Sequence, residues 1–195
     1  MTVLITGNGH SGTTFIARLL MEVGCDFGQG DPPAAWTEGA QAMEHPGVQS
    51  VAKDVAQGHV AAAVAVGIAL PPYVKAPAIG WRLDDWLGAG LMVGAAVVCH
   101  RNTEDTLHSI ARTGGGYGGF GTPTTHQLHA QTGCLMSALW DYDIPHTVVR
   151  FPQVLDHWLS LYKAFRDAYI PLPCTEEAFR KAHARIARPK LVHFK

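Results

Sequence analysis

Charged residues are scarce in this chain, and the two signs nearly cancel. Asp, Glu, Lys and Arg make up 16% of the 195 residues, and 15 basic residues against 16 acidic ones leave a net charge of −1. This balance argues against a protein that binds nucleic acid through bulk positive charge. The 47% hydrophobic content excludes intrinsic disorder and is enough for one core. We therefore expect a single domain over residues 1–195 with no nucleic-acid partner.

Cysteine is also sparse, and its spacing matches neither a disulfide scaffold nor a zinc site. The four cysteines lie far apart, without a Cys-x-x-Cys pair or a Cys/His pair at zinc-finger spacing. His126 and His129 would share one helical face, but the spacing supplies no third ligand. We therefore expect reduced thiols and no metal site.

Long hydrophobic runs are missing as well. The most apolar stretches, residues 60–70 and 87–98, are shorter than the roughly 20 residues that a helix needs to cross a bilayer. Met1 leads directly into Thr-Val-Leu-Ile-Thr without a basic segment, which is unlike a secretory signal. These features predict a cytoplasmic protein with no membrane span.

Glycine and proline are abundant, at 21 and 12 residues, and they separate strand-like from helix-like segments. The patterns predict strands at residues 2–6, 72–77, 93–99 and 145–151, and helices at about 15–23, 49–70, 80–91, 103–112, 125–140, 153–168 and 175–187. Strands that alternate with helices predict a mostly parallel sheet in a three-layer α/β/α fold. Its ligand is expected at the carboxyl ends of the strands.

The segment Gly-Asn-Gly-His-Ser-Gly-Thr-Thr, residues 7–14, follows the first predicted strand and opens the first predicted helix. Backbone N–H groups and the helix dipole converge on an anion at such a junction. Its glycines match the dinucleotide fingerprint, with Asp26 as the ribose-binding acid, but residues 24–28 make a poor strand. They also match the P-loop spacing, with Thr13 in the position of the P-loop Lys. A tight turn without a ligand is the third interpretation.

Several segments together resemble the sulfotransferases that use 3′-phosphoadenosine 5′-phosphosulfate (PAPS). Ser11-Gly12-Thr13-Thr14 after a strand is similar to the family's 5′-phosphosulfate loop, and Val74-Lys75-Ala76-Pro77 is similar to its Lys-x-Pro segment. A strand that ends in Arg101, followed by Ser109, is similar to the family's site for the 3′-phosphate. Glu44-His45-Pro46 looks like its Trp-Glu-Asp segment. The resemblance covers roughly residues 2–112.

This resemblance implies a P-loop nucleoside triphosphate hydrolase-like fold and sulfuryl transfer to a hydroxyl or amine of a small-molecule or glycan acceptor. The implied catalytic residues are His10, Lys75 and Glu44, with His45 as the alternative base. The implied PAPS-binding residues are Gly9, His10, Ser11, Gly12, Thr13, Thr14, Arg101 and Ser109.

The chain departs from the family at several points. His10 stands where the family normally has Lys or Arg, and Arg150-Phe151-Pro152-Gln153 stands where it often has Arg-Tyr-Glu-Asp. The family's C-terminal Arg-Lys-Gly loop has no clear counterpart, and the Gly-rich residues 113–122 are the candidate lid in its place. Two alternatives stay open: a P-loop kinase acting on a small molecule, and a nucleotide-binding module without efficient catalysis.

Overall fold

The strands of this protein form a parallel sheet whose two faces are both covered. The computed structural model describes residues 1–28, 70–77, 79–112 and 122–187. Within these ranges the strands are β1 (Thr2–Gly7), β2 (Tyr73–Lys75), β3 (Val93–Arg101) and β4 (His146–Phe151). They lie in the order β2-β1-β3-β4, and every pairing is parallel.

The side chains of the central strands alternate between two hydrophobic clusters. In β1, Val3 and Ile5 belong to one cluster, whereas Leu4 belongs to the other. In β3, Val97 and Val98 divide in the same way. Successive residues of a strand point to opposite faces, so a strand buried on both faces is apolar throughout. This explains the uninterrupted apolar runs of β1 and β3.

Helices cover both faces of the sheet. In the described ranges they are α1 (Thr13–Glu22), α2 (Leu83–Gly88), α3 (Thr103–Arg112), α4 (Thr125–Asp141), α5 (Trp158–Asp167) and α6 (Glu176–Ile186), with 3-10 turns at Ile79–Arg82 and Gln153–Leu155. Buried residues of α1, α5 and α6 fill one cluster, and those of α2 and α4 fill the other. The predicted three-layer α/β/α arrangement is confirmed for the part of the chain that the structure describes.

Local polar contacts determine where two of these helices begin. The Asn102 Oδ1 accepts from the backbone N–H groups of Glu104 and Asp105, at 2.9 and 3.3 Å, and so caps α3. Thr124 and Gln127 form a reciprocal capping box at the start of α4. None of the described helices combines the length and the hydropathy that a membrane span requires.

The predicted elements agree with the structure except at several boundaries. The predicted helix at 80–91 is divided into the first 3-10 turn and α2, which ends at Gly88 shortly before Gly90 adopts a positive φ of 101°. The predicted helix at 153–168 is likewise divided into the second 3-10 turn and α5. The predicted helix at 49–70 lies outside the described residues apart from Leu70, and the predicted lid at 113–122 does so apart from Thr122.

The strand order places β1 and β3 side by side at the centre of the described sheet. The next strand after β1 lies on one side of this pair, and the next strand after β3 lies on the other. Ligands of open parallel sheets bind at such a switch point, beyond the carboxyl ends of the strands. The loop after Gly7 and the end of β3 at Arg101 meet there.

Gly7 allows β1 and β3 to approach closely at this point. Its φ is +131°, and a Cβ atom on it would lie 2.1 Å from the carbonyl oxygen of Cys99. Any other residue would be strained in this conformation and would also collide with the backbone of β3. A glycine is therefore required where β1 enters the loop.

We predict that Gly7→Ala lowers the free energy of unfolding by about 2–4 kcal/mol, because strain and collision add. The control is Gly133→Ala on the exposed side of α4, where an added Cβ would have no neighbouring atom within 4 Å. The same substitution should raise the stability there by up to about 1 kcal/mol, because alanine is the better helix former. Urea denaturation of both variants measures the difference, and equal effects would contradict the close approach.

Candidate anion-binding site

The loop between β1 and α1 is held in shape by polar contacts at its first residue. The Asn8 side-chain amide donates to the carbonyl oxygen of Leu128 at 3.3 Å and to Thr132 Oγ1 at 3.1 Å, both on α4. The Asn8 carbonyl oxygen accepts from the Ser11 N–H at 3.2 Å. His10 and Gly12 both have positive φ values, 63° and 100°. The loop therefore turns sharply and is anchored to α4.

The loop delivers the chain to the N-terminus of α1 without a side-chain cap. Gly12 is the N-cap residue, and its carbonyl oxygen accepts the N–H of Ile16 at 3.2 Å. The first turn contains no acidic residue. The leading N–H groups of a helix precede its own hydrogen-bond ladder, and they carry the positive end of the dipole. Thr13 and Thr14 thus present their amides at an uncapped N-terminus.

Ser11 supplies a second sign that this loop accommodates a polar ligand. Its side chain is only 1% exposed, and its Oγ has no hydrogen-bond partner in the part of the chain that the structure describes. A buried hydroxyl without a partner costs about 1–3 kcal/mol. An oxyanion seated in the loop would remove this cost by accepting the hydroxyl proton.

Arg101 and Ser109 both contact the central residue of the loop, His10. Ser109 Oγ lies 3.2 Å from His10 Nδ1, and an Arg101 guanidinium nitrogen donates to the His10 carbonyl oxygen at 3.4 Å. The Arg101 side chain is 9% exposed, and a carboxylate oxygen of Asp105 lies 4.0 Å from it. The structure therefore brings His10 together with residues that lie 91 and 99 positions away in the sequence.

Lys75 ends β2 on the other side of β1, where it pairs in register with Ile5. It is 1% exposed, so it is not a surface lysine. Its charge acts on His10 and on the Cys99 thiol. A buried ammonium group is costly unless opposite charge or hydrogen bonds accompany it. The position of Lys75 extends the positive field from the end of β2 to the loop.

These surroundings lower the pKa of His10 below its usual value. Burial of the imidazole is the main cause, and the positive charges of Arg101 and Lys75 act in the same direction. His10 is therefore neutral near pH 7 in the free protein. A bound oxyanion would counter both charges and favour the protonated ring.

The structure places some of the remaining predicted site residues near the loop and others away from it. Gly9 and Thr14 lie in the loop and at the start of α1, and Thr13 is buried with 4% exposure. Glu44 and His45 lie outside the described residues. Asp26 does not take part: its carbonyl oxygen accepts from the N–H of the first β2 residue, and its carboxylate accepts from Gly28 N at 2.7 Å. It thus lies at the amino edge of the sheet, opposite the loop, where it cannot serve the dinucleotide interpretation.

Three further basic side chains lie near the carboxyl edge, and sequence reasoning did not assign them to a site: His100, His129 and Arg150. Two of these positions could have been predicted from the sequence, because His100 adjoins Arg101 and Arg150 stands at the corresponding end of the next strand. Within the described ranges, no group of three or more His, Cys, Asp or Glu side chains is placed to hold a metal ion.

Comparison with known proteins assigns no family to this chain. No protein-family model matches the chain, and no curated protein is similar enough to match it.

We predict that His10 titrates below pH 6.5 in the free protein and that Arg101→Gln raises its pKa, because one of the two repelling charges is lost. The folded pKa is lowered, so this group favours folding above pH 6.5 and disfavours it as the pH falls through that value. Histidine NMR titration measures both pKa values. Arg166→Gln on α5 is the control and should leave His10 unchanged; an unshifted His10 in Arg101→Gln would contradict the electrostatic account.

Proposed function

We propose that this chain is a P-loop protein of the sulfotransferase type, which moves a sulfuryl group from PAPS to a hydroxyl or amine of a small-molecule or glycan acceptor. The observation that carries the proposal is the convergence of Arg101 and Ser109 on His10. A strand-end guanidinium and a helix hydroxyl meet the residue that precedes Ser-Gly-Thr-Thr. This combination is what the resemblance to the family implies.

The described residues fit a ligand with two phosphate groups. The uncapped start of α1 and the buried Ser11 hydroxyl offer donors for a 5′-phosphate. Arg101 and Ser109 offer charge-assisted donors for a 3′-phosphate. Packing also constrains the loop: a Cβ on Gly12 would lie 2.7 Å from the Phe151 ring, so the chain passes there without a side chain.

PAPS would supply an activated sulfuryl group: the acceptor oxygen or nitrogen bonds to sulfur as the bond from sulfur to the 5′-phosphate oxygen breaks. The protein must then stabilise negative charge on the leaving phosphate oxygen and accept one proton from the acceptor. His10 and Lys75 are the cations proposed for the first task. Glu44 is the base proposed for the second, by resemblance alone.

His10 makes ligand binding at this site depend on pH, which a lysine in the same position would not do. The ring is neutral in the free protein because burial and two neighbouring cations lower its pKa. A dianionic ligand therefore binds more tightly when it is accompanied by a proton on His10. The affinity for the nucleotide and the stabilisation of the leaving oxygen should both increase as the pH falls from 8 towards 6.

Thr13 favours sulfuryl transfer over the kinase alternative. It occupies the position in which P-loop kinases carry a lysine that reaches the β- and γ-phosphates. Thr13 is 4% exposed and uncharged, so it offers a hydroxyl but no cation for a γ-phosphate. The non-catalytic nucleotide-binding module shares the same cradle, and activity measurements distinguish it.

We predict that adenosine 3′,5′-bisphosphate binds to the chain more tightly than ATP or NADH in titration calorimetry. Arg101→Gln should weaken this binding about tenfold to a hundredfold, since a charged hydrogen bond is lost. Arg166→Gln, which removes an equal charge from an exposed position of α5, should leave the affinity unchanged. Circular dichroism checks that both variants fold, and a chain that ignores the bisphosphate would overturn the proposed function.

We further predict that the rate of bisphosphate release from PAPS in the presence of acceptor amines and alcohols falls as the pH rises from 6 to 8. His10→Lys should remove this fall, because lysine remains charged over the whole range. His10→Gln should abolish the pH dependence together with most of the rate. A wild-type chain that is silent at every pH, beside an active His10→Lys variant, would identify the non-catalytic module instead.

A further inference from the structure

A second basic cluster lies at the carboxyl edge of the sheet, on the face opposite to Arg101. His100 and Arg150 are register partners on the neighbouring strands β3 and β4. His100 continues the alternation of Ala96 and Val98, which pack against α4. Adjacent parallel strands lie about 4.8 Å apart, so register partners present their side chains next to each other on the same face.

The third member of the cluster, His129, comes from the second turn of α4. Its Nε2 lies 3.0 Å from the Thr103 Oγ1, at the start of α3. Thr103 follows the end of β3 by two residues, so this contact places His129 near the carboxyl end of the strand that carries His100. The N-terminus of α4 lies at the same edge, and its first turn has no acidic residue.

Basic side chains surround His100 in this cluster. The pKa of His100 is lowered first by its burial and then by the positive charges of Arg150 and His129. In the described ranges, Arg150 forms no ion pair with a carboxylate. The adjoining helix α3 begins with Glu104 and Asp105, and Asp105 is the carboxylate near Arg101. The cluster is thus a set of hydrogen-bond donors without an internal acceptor of opposite charge.

We propose that His100, His129 and Arg150 form a second oxyanion site, which binds a phosphate, sulfate or carboxylate group of a small-molecule ligand. A guanidinium group binds such an oxyanion through two parallel N–H donors, and each imidazole adds one donor. The anchored loop residue Asn8 lies beside this face, because its contacts on α4 include Leu128, the neighbour of His129. The loop therefore separates the second site from the first.

The second site also limits which molecules can serve as the sulfuryl acceptor. This inference rests on the proposed function. The nucleotide is proposed to bind on the Arg101 side of the loop. A molecule whose anionic group is bound by Arg150 would then lie on the other side of the loop from the nucleotide. The acceptor is then a small molecule that already carries a negative charge. Binding at the second site does not itself require the nucleotide.

NMR of the full chain labelled with 15N-histidine tests the site directly. Inorganic phosphate is titrated at constant pH and ionic strength, before and after saturation with adenosine 3′,5′-bisphosphate. His100 and His129 should shift together with one midpoint, while His183 does not move. His183 is buried on α6 and donates to the Val154 carbonyl oxygen at 2.7 Å, so it serves as the internal reference. Acetate in a parallel titration distinguishes a carboxylate from a tetrahedral oxyanion.

The matched variants are Arg150→Gln and Arg166→Gln, which remove equal charges from exposed positions. Arg150→Gln should raise the phosphate midpoint about tenfold or more, whereas Arg166→Gln should not change it. Unmoved His100 and His129 signals at millimolar phosphate, or equal midpoints in both variants, would overturn the second site. If the bisphosphate fails to shift His10 while phosphate still shifts the pair, the proposed function fails and the second site stands.

Discussion

The parallel pairing of β1 with β3 is the contact on which the candidate site depends. Gly7 lies against the Cys99 carbonyl, closer than any side chain would permit, and the loop leaves β1 at this contact. The register then places His10 beside the end of β3, within reach of Arg101. The opposite edge of β1 pairs with β2 and brings Lys75 to the same loop. The two strands that flank β1 thus each place a basic side chain near the loop.

The electrostatic balance of the loop explains why a histidine suits this arrangement. Arg101 is mostly buried, Lys75 is almost fully buried, and a third permanent charge between them would add repulsion in the absence of a ligand. A neutral His10 avoids that repulsion. An oxyanion of the kind proposed for this site would counter the two charges and favour the protonated ring. The free protein therefore keeps its fold without a permanent charge at this position.

The sequence was sufficient for those features that depend on local patterns. The strands and the described helices follow from apolar periodicity, and the loop from a glycine cluster between strand and helix. The resemblance assigned Arg101 and Ser109 to one phosphate site, but their contact with His10 depends on its positive φ and on the pairing of β1 with β3. The burial of Lys75 and the exclusion of Asp26 depend on which edge of the sheet each residue joins. Tertiary pairing decides this, and no spacing in the sequence specifies it.

The same dependence on pairing accounts for the two basic groups at one edge of the sheet. His100 and Arg101 are neighbours in the sequence, yet alternation along β3 sends one toward α4 and the other toward His10. Arg150 joins His100 because β4 pairs with β3 in that register, and a shift by one residue would move it to the other face. Two adjacent basic residues at the end of one strand therefore do not contribute to the same site. Their side chains divide between the two faces of the sheet.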